Sequence, residues 1–103
     1  MANAAQCFAA LGDPTRRRIF ERLSRKPMSV GRLAAGLTVT RPAVSQHLKV
    51  LRAAGLVAER QEGTRHVYRL DPRGVQLMQA YLDRFWNQAL TAFARAVDEE
   101  DDT

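Results

Sequence analysis

The segment from Thr40 to Leu70 limits the fold of this chain more than any other part of its sequence. It opens with a pattern in which Val44, Leu48 and Leu51 are separated by four and then three positions. Apolar residues at this spacing share one face of an α-helix, so we expect a helix over 41–54 that buries this face. A glycine follows directly and can act as a C-terminal stop.

After this helix the pattern changes to the alternation that is typical of β-strands. Apolar and polar residues alternate from Val57 to Leu70, and Glu62-Gly63 in the middle can form a tight hairpin turn. A helix followed by a basic hairpin is the layout of a winged helix-turn-helix. Such a helix fits the major groove of DNA, while the hairpin, or wing, reaches the flanking backbone or the minor groove.

Helix caps and helix-breaking residues place the other helices. A first helix is expected over 4–11, a second begins after Asp13 with Pro14 in its first turn, and a short third helix follows the cap residue Ser29. The predicted fold is therefore mainly α with a two-stranded β wing, in the order of four helices, two strands and a fifth helix.

The last helix is expected to run from Asp71-Pro72 to about Val97, roughly 40 Å at 1.5 Å per residue. Its apolar stripe is too wide and too aromatic for one small domain to cover, so it needs a second surface. We expect a homodimer through the first and last helices; the alternative is a helix that folds back on its own domain. The candidate interface residues are Phe8, Leu82, Phe85, Trp86, Ala89 and Phe93.

We expect one domain over residues 1–98, because 103 residues are close to the commonest domain size. Residues 99–103 continue an acidic run that cannot bury enough apolar surface to order itself, so a disordered tail is expected there. No segment resembles a signal peptide or a membrane span, and a single cysteine, Cys7, fits a reducing compartment. These features predict a cytoplasmic protein.

The net charge of +5 is unevenly distributed along the chain. Residues 1–70 hold 13 Lys and Arg against 4 Asp and Glu, whereas residues 71–103 hold 3 against 7. The basic excess belongs to the part with the predicted recognition helix and wing, as a phosphate-binding surface requires. A mildly basic surface that serves solubility alone is the alternative.

A protein that reads DNA needs cations for the phosphates, hydrogen-bonding side chains for the base edges and a rigid platform. By hydrogen-bonding geometry Gln46 suits adenine and Arg41 suits guanine, while His47 lies next to Leu48 and can instead pack at the helix edge. For each residue a solvated helix face is the alternative. The candidate DNA-binding residues are Arg41, Pro42, Ala43, Ser45, Gln46, His47, Lys49, Arg60 and Arg65.

Three segments resemble the ArsR-type (ArsR/SmtB) transcriptional repressors: LGDPTRRRI at 11–19, RPAVSQHLKVLRAAGLV at 41–57 and ERQEGTRHVYRLDP at 59–72. The resemblance runs from about Cys7 to Phe93, nearly the whole chain. It implies a homodimeric winged-helix repressor that binds a short inverted repeat at promoters. It also implies that 41–54 is the recognition helix, that 57–70 is the wing and that the first and last helices form the dimer interface.

Many members of that family release DNA when a metal binds, and this sequence departs from them. The segment PMSVGRL at 27–33 lacks the cysteine pair of one familiar site, and the last helix has no histidine for another. A zinc site needs about four converging ligands, whereas the two histidines, His47 and His66, fall on the recognition helix and the wing. We therefore expect no metal and no cofactor, although a metal-responsive repressor with an unrecognised site stays open.

Two other classes of function are open to a chain of this kind. A winged helix can serve protein contacts without a DNA target, but its recognition face would then be neutral or acidic, unlike Arg41 and Lys49. An enzyme is not expected, because Ser45 and His47 do not face each other on a helix and no Gly-rich phosphate loop occurs. The aromatic residues of the last helix can line a pocket for a small-molecule effector or pack in the dimer core.

Overall fold

The computed structural model describes residues 2–101 and has a mainly α architecture with a small antiparallel sheet. The prediction of a winged helix-turn-helix is confirmed, with one strand more than expected. The elements in chain order are α1 (Ala4–Ala10), α2 (Pro14–Arg25), β1 (Met28–Ser29), α3 (Val30–Ala35), α4 (Arg41–Ala53), β2 (Val57–Glu62), β3 (Arg65–Leu70) and α5 (Pro72–Asp101).

The first four helices each begin after a residue whose side chain accepts a hydrogen bond from the first helical turn. The distance from side-chain oxygen to backbone nitrogen is 2.9 Å at Asn3 and Asp13 and 3.3 Å at Ser29 and Thr40. These caps satisfy N–H groups that have no partner within the helix. The local sequence therefore fixes where α1 to α4 begin.

One hydrophobic core joins the helices to the sheet. The predicted inner face of α4, formed by Val44, Leu48 and Leu51, is buried, and Ile19 and Leu23 bury the inner face of α2. Removing such apolar surface from water is the dominant favourable contribution to folding. The other buried apolar residues are Cys7, Ala10, Met28, Leu33, Ala54, Leu56, Val57 and Met78.

The sheet contains a third strand that the sequence did not predict. β1 pairs antiparallel with β3, with Met28 opposite Tyr68 and Ser29 opposite Val67, in the strand order β1-β3-β2. Two residues are too few to display an alternating pattern, so periodicity cannot detect this strand. Because β1 leads directly into α3, it attaches the wing to the helical part of the domain.

The hairpin turn lies one residue later than predicted. Glu62 pairs with Arg65, so the loop residues are Gly63 and Thr64 rather than Glu62 and Gly63. Gly63 has a φ of 63°, a left-handed value that glycine adopts at little cost in a two-residue hairpin loop. The position of this glycine therefore sets the register of β2 against β3.

The end of α4 is joined to both α1 and α5. Gly55 adopts a φ of 78°, and the backbone N–H of Leu56 donates into the last turn of α4 over 3.0 Å, as at a glycine-terminated helix. The carbonyl of Gly55 accepts a hydrogen bond from the N–H of Gly74 in α5 over 2.9 Å. The thiol of Cys7 in α1 donates to the carbonyl of Ala54 over 3.2 Å.

The last helix extends beyond its predicted end. α5 continues to Asp101 instead of ending near Val97, so Glu99 and Glu100, which were assigned to a disordered tail, are helical. The sequence has no glycine or proline in this part, and carboxylates alone do not break a helix. Residues 102 and 103 of the expected tail lie outside the described residues, and the domain boundary at 98 remains a prediction.

Asp71 connects the wing to α5. Its buried carboxylate accepts a hydrogen bond from the backbone N–H of Arg73 over 3.0 Å and forms an ion pair with the Arg73 guanidinium over 2.7 Å. These hydrogen bonds from Arg73 lower the pKa of Asp71, although burial acts in the opposite direction. The backbone N–H of Asp71 donates to the carbonyl of Leu56 over 2.9 Å. Asp71 therefore caps α5 and fixes its start beside the end of α4.

We expect Asp71→Ala to lower the free energy of unfolding by about 1–2 kcal/mol, as the loss of a helix cap does. Asp71→Asn retains an oxygen for the backbone N–H, so its loss should be smaller. Because the folded-state pKa is depressed, the carboxylate stabilises the fold above the unfolded pKa of about 3.9 and loses this effect as the pH falls through the folded value.

Urea unfolding at one protein concentration, at neutral pH and again near pH 3, measures both effects of the Asp71 substitutions. The difference between wild type and Asp71→Ala should shrink at the lower pH. Equal stability of the two proteins at neutral pH would contradict the capping role.

Candidate nucleic-acid interface

The outer side of α4 is a polar surface on a rigid support. Ser45, Gln46 and Lys49 are exposed there, as predicted, and Arg41 and Pro42 are exposed in the first turn. The opposite side of the helix is anchored in the core by its buried stripe. The exposed side chains are therefore held on a fixed platform, as the contact with base edges requires.

Ala43 and His47, two further candidates, are half-buried at one edge of α4. The ring nitrogen Nδ1 of His47 lies 3.9 Å from the carboxylate of Asp13, the cap of α2. The hydrogen bond from the backbone N–H of Arg16 is the main cause of the lowered pKa of Asp13, and the charge of His47 acts in the same direction. His47 thus packs at the helix edge, which is the alternative that the sequence left open.

The guanidinium of Arg41 lies over the beginning of α3. A β-carbon built on Gly31 would stand 3.2 Å from Nη2 and 3.4 Å from Cζ of Arg41. The guanidinium therefore occupies space that the missing side chain of Gly31 leaves free. In this position Arg41 lines one cleft together with the tip of the wing.

The wing carries its basic residues on one face. By the register of the two strands, Arg60, Arg65 and Arg69 share one side of the hairpin with Glu62. All four residues are exposed. This face therefore presents three guanidinium groups against one carboxylate, which is the basic wing surface that the sequence predicts.

Glu59 fastens the opposite face of the wing to α4. One oxygen of its carboxylate accepts a hydrogen bond from the guanidinium of Arg52 over 2.8 Å, and the other contacts Nδ1 of His66. Tyr68 lies opposite Glu59 in the hairpin, and its pKa is raised first by burial and then by the charge of Glu59. Arg52 thus joins the wing to α4 through Glu59, while His66 contacts the same carboxylate from the neighbouring strand of the wing.

Sequence reasoning missed this connection. Arg52 and His66 each lie seven residues from Glu59. Glu59 and His66 come together only when the two strands pair, and Arg52 and Glu59 only when the hairpin packs on α4. The available signal was Glu59 itself, one of the few acidic residues in the basic part of the chain. A lone carboxylate among arginines is a candidate for an internal ion pair.

The apolar stripe of α5 is uncovered in the single chain. Trp86 and Phe93 expose 62 % and 68 % of their surface, and beyond Met78 no described residue is buried. The helix therefore does not fold back on its own domain. Tyr81 packs edge-on against the ring of Phe8 in α1, with ring centroids 5.6 Å apart. All six candidate interface residues are exposed: Phe8, Leu82, Phe85, Trp86, Ala89 and Phe93.

No three His, Cys, Asp or Glu side chains converge to hold a metal ion within the part of the chain that the structure describes. Among those same residues, no helix is long and apolar enough to cross a membrane. The thiol of Cys7 is buried, and this burial raises its pKa. The thiolate, which is the reactive form, is therefore disfavoured.

The helix-turn-helix part of the chain matches the sequence model of a known family. Residues 11–60 match the family described as "Helix-turn-helix domain". Over 97 residues the chain is 55% identical to the HTH-type transcriptional regulator Rv2034 of Mycobacterium tuberculosis, with 94% of this chain and 91% of that protein covered. The similarity therefore extends over both the recognition helix and α5.

Solved structures agree with this assignment. An ArsR-like transcriptional regulator from Rhodococcus sp. RHA1 is 34% identical and superimposes with a TM-score of 0.77 over 90% of this chain and 91% of that one. The homodimeric winged helix-turn-helix DNA-binding domain of a possible ArsR-family regulator from Mycobacterium bovis is 27% identical, with a TM-score of 0.66 over 82% and 78% of the two chains. The chain belongs to the ArsR-type family of winged helix-turn-helix transcriptional regulators, which are DNA-binding proteins and not enzymes.

Proposed function

We propose that this protein is a cytoplasmic homodimeric repressor that binds an inverted-repeat operator through α4 and the wing. The observation that carries the proposal is the pairing of two exposed surfaces on one rigid unit. Ser45, Gln46 and Lys49 form the outer side of α4, and Arg60 and Arg65 lie on the basic face of the wing. Membership of a family of DNA-binding regulators supports the assignment of both surfaces to DNA.

In the proposed complex, α4 lies in the major groove and Gln46 donates and accepts hydrogen bonds at an adenine edge. Ser45 can hydrogen-bond to a neighbouring base, while Lys49 and the wing arginines neutralise phosphates. Phosphate contacts set affinity and its dependence on salt, whereas base contacts set sequence preference. Substitution of a phosphate-binding residue should therefore lower affinity for every DNA sequence, whereas substitution of a base-contacting residue should change the sequence preference.

The uncovered stripe of α5 supports a dimer through α1 and α5. Exposed apolar surface of this extent marks an interaction site, and the related domain from Mycobacterium bovis is homodimeric. A two-fold axis would place two recognition helices in successive major grooves, with half-site centres about 34–36 Å apart. A dimer seated across a promoter in this way would exclude polymerase.

The first test is fluorescence anisotropy of the purified protein on its own upstream promoter fragment, with scrambled DNA of equal length for comparison. A salt series separates the electrostatic contribution from sequence preference. Parallel titrations with EDTA and with added zinc test the metal-responsive alternative. Tight, salt-sensitive and selective binding that changes with neither EDTA nor zinc would support a repressor without a metal signal. Absence of binding at low salt would favour a protein-contact module.

We predict that Gln46→Ala weakens binding to the operator by about 1–3 kcal/mol and relaxes preference at specific base pairs. The reason is that its amide is the group on α4 best suited to adenine. Binding to scrambled DNA should change little, because no phosphate contact is lost. Base preferences from selection on a randomised duplex library would measure this, and an unchanged profile would place the reading face elsewhere.

We predict that Trp86→Ala weakens the dimer by at least tenfold, since large aromatic residues near the centre of an interface commonly contribute 2 kcal/mol or more. Sedimentation velocity over a concentration series measures the dissociation constant. Thr91→Ala is the matched control. At about 100° per residue, Thr91 lies on the side of α5 opposite the apolar stripe, where its neighbours are Asn87 and Arg95. Equal dimerisation of wild type and Trp86→Ala would exclude this face of α5.

A further inference from the structure

A cleft of about 360 Å³ lies where the recognition helix, α3 and the tip of the wing meet. It is lined by residues 29–31 at the start of α3, by Arg41 at the start of α4 and by residues 64–66 at the wing tip. Three segments that are distant in the sequence thus form one concave polar surface. Two of the candidate DNA-binding residues, Arg41 and Arg65, line this cleft.

The described part of the chain supplies no anionic partner for either of these arginines. Among the described residues, neither Arg41 nor Arg65 forms an ion pair, although Glu62 lies opposite Arg65 in the hairpin. The third basic residue of the cleft, His66, is engaged by Glu59 through Nδ1. Two unpaired arginines that line one cleft form a site with excess positive charge, which an anion would neutralise.

Hydroxyl groups complete the lining of the cleft. Ser29 accepts a hydrogen bond from the backbone N–H of Arg32 over 3.3 Å as the cap of α3, and its hydroxyl can still donate a hydrogen bond. Thr64 contributes a second hydroxyl at the wing tip. The residues that line the cleft include no carboxylate, and guanidinium and hydroxyl donors are groups that bind phosphate oxygens.

We propose that this cleft binds one phosphate of the DNA backbone, held between Arg41 and Arg65, and that Arg41 is a phosphate ligand and not a reader of guanine. The proposal rests on the DNA-binding function proposed above and corrects the role that sequence gave to Arg41. The guanidinium lies against Gly31 in α3 and not along the outer side of α4. A single phosphate held there would bind the recognition helix and the wing to the same DNA strand.

Gly31 acts as a positioning residue in this arrangement. A β-carbon at this position would lie 3.2 Å from Nη2 of Arg41, a distance at which the exposed guanidinium must shift by a few tenths of an ångström. Alanine also favours helix more than glycine does. Gly31→Ala should therefore weaken DNA binding without lowering the melting temperature, an effect that a purely structural role would not give.

The proposal is tested with Arg41→Ala, Arg65→Ala and the double variant on duplexes selected from a randomised library and on scrambled DNA. For each protein the dissociation constant is measured over a salt series, and the base preferences are determined by sequencing of the selected DNA. Gln46→Ala serves as the comparison for base reading. Arg25→Ala is the control for net charge, because Arg25 is an exposed arginine at the C-terminal end of α2 that lines no part of the cleft.

A plot of the logarithm of the binding constant against the logarithm of the salt concentration has a slope that reflects the number of phosphate contacts. Loss of one contact should reduce the magnitude of this salt slope by about 0.9 for each protomer. At physiological salt this corresponds to a roughly fivefold loss of affinity per contact, equal on selected and scrambled DNA. The base preferences of Arg41→Ala should match those of wild type. Since both arginines hold one phosphate, the double variant should lose less than the product of the two single losses.

Three results would overturn the proposal. Arg41→Ala that alters preference at one base pair with an unchanged salt slope would make Arg41 a base reader. If Arg41→Ala or Arg65→Ala had the same affinity and salt slope as Arg25→Ala, the substituted arginine would not contact DNA. Strictly multiplicative losses in the double variant would mean two separate contacts. If the wild-type protein bound neither selected nor scrambled DNA, the proposed DNA-binding function would itself be wrong. This result differs from the other three, in which the protein binds DNA but the phosphate site is wrong.

Discussion

The glycine-terminated end of α4 determines how the recognition helix is oriented, because two other helices bind to the same few backbone atoms. The carbonyls of Ala54 and Gly55 accept hydrogen bonds from the thiol of Cys7 in α1 and from the N–H of Gly74 in α5. A β-carbon on Gly74 would lie 2.4 Å from the carbonyl oxygen of Gly55, so this approach requires glycine. α4 is thereby fixed to the two helices that carry the uncovered apolar surface.

The basic charge of residues 1–70 is divided between folding and DNA binding. Arg16 donates to the carbonyl of Ala10 over 2.6 Å, and Arg22 donates to the C-terminal end of α3 over 3.1 Å. Arg52 is paired with Glu59. Because these guanidinium groups are engaged within the chain, net charge overstates the number of cations that phosphates can use. Exposure and pairing, which only the structure reveals, identify the remaining ones.

Local chemistry explains which parts of the fold were predictable. Caps such as Asp13 and Thr40 and the apolar spacing along α4 act within a few residues, so the sequence located these helices closely. The two-residue strand at Met28 exists only because β3 pairs with it, and the ion pair between Glu59 and Arg52 exists only because the hairpin packs on α4. The same limit applies to the site: the exposed face of α4 was predictable, whereas the position of Arg41 over Gly31 depends on how two helices meet.

In the proposed dimer, the dimer surface on α5 and the recognition helix α4 belong to one connected unit. The described chain is 69 Å long but only 26 and 22 Å across, and α5 accounts for much of that length. Since the N–H of Gly74 in α5 donates to the carbonyl of Gly55 at the end of α4, the angle between two copies of α5 would affect the distance between two recognition helices. Operator half-sites have a fixed spacing, so a ligand that favours a different angle would release DNA without contact with any residue that reads it. A sequence without the familiar metal-ligand motifs is therefore compatible with a regulated repressor.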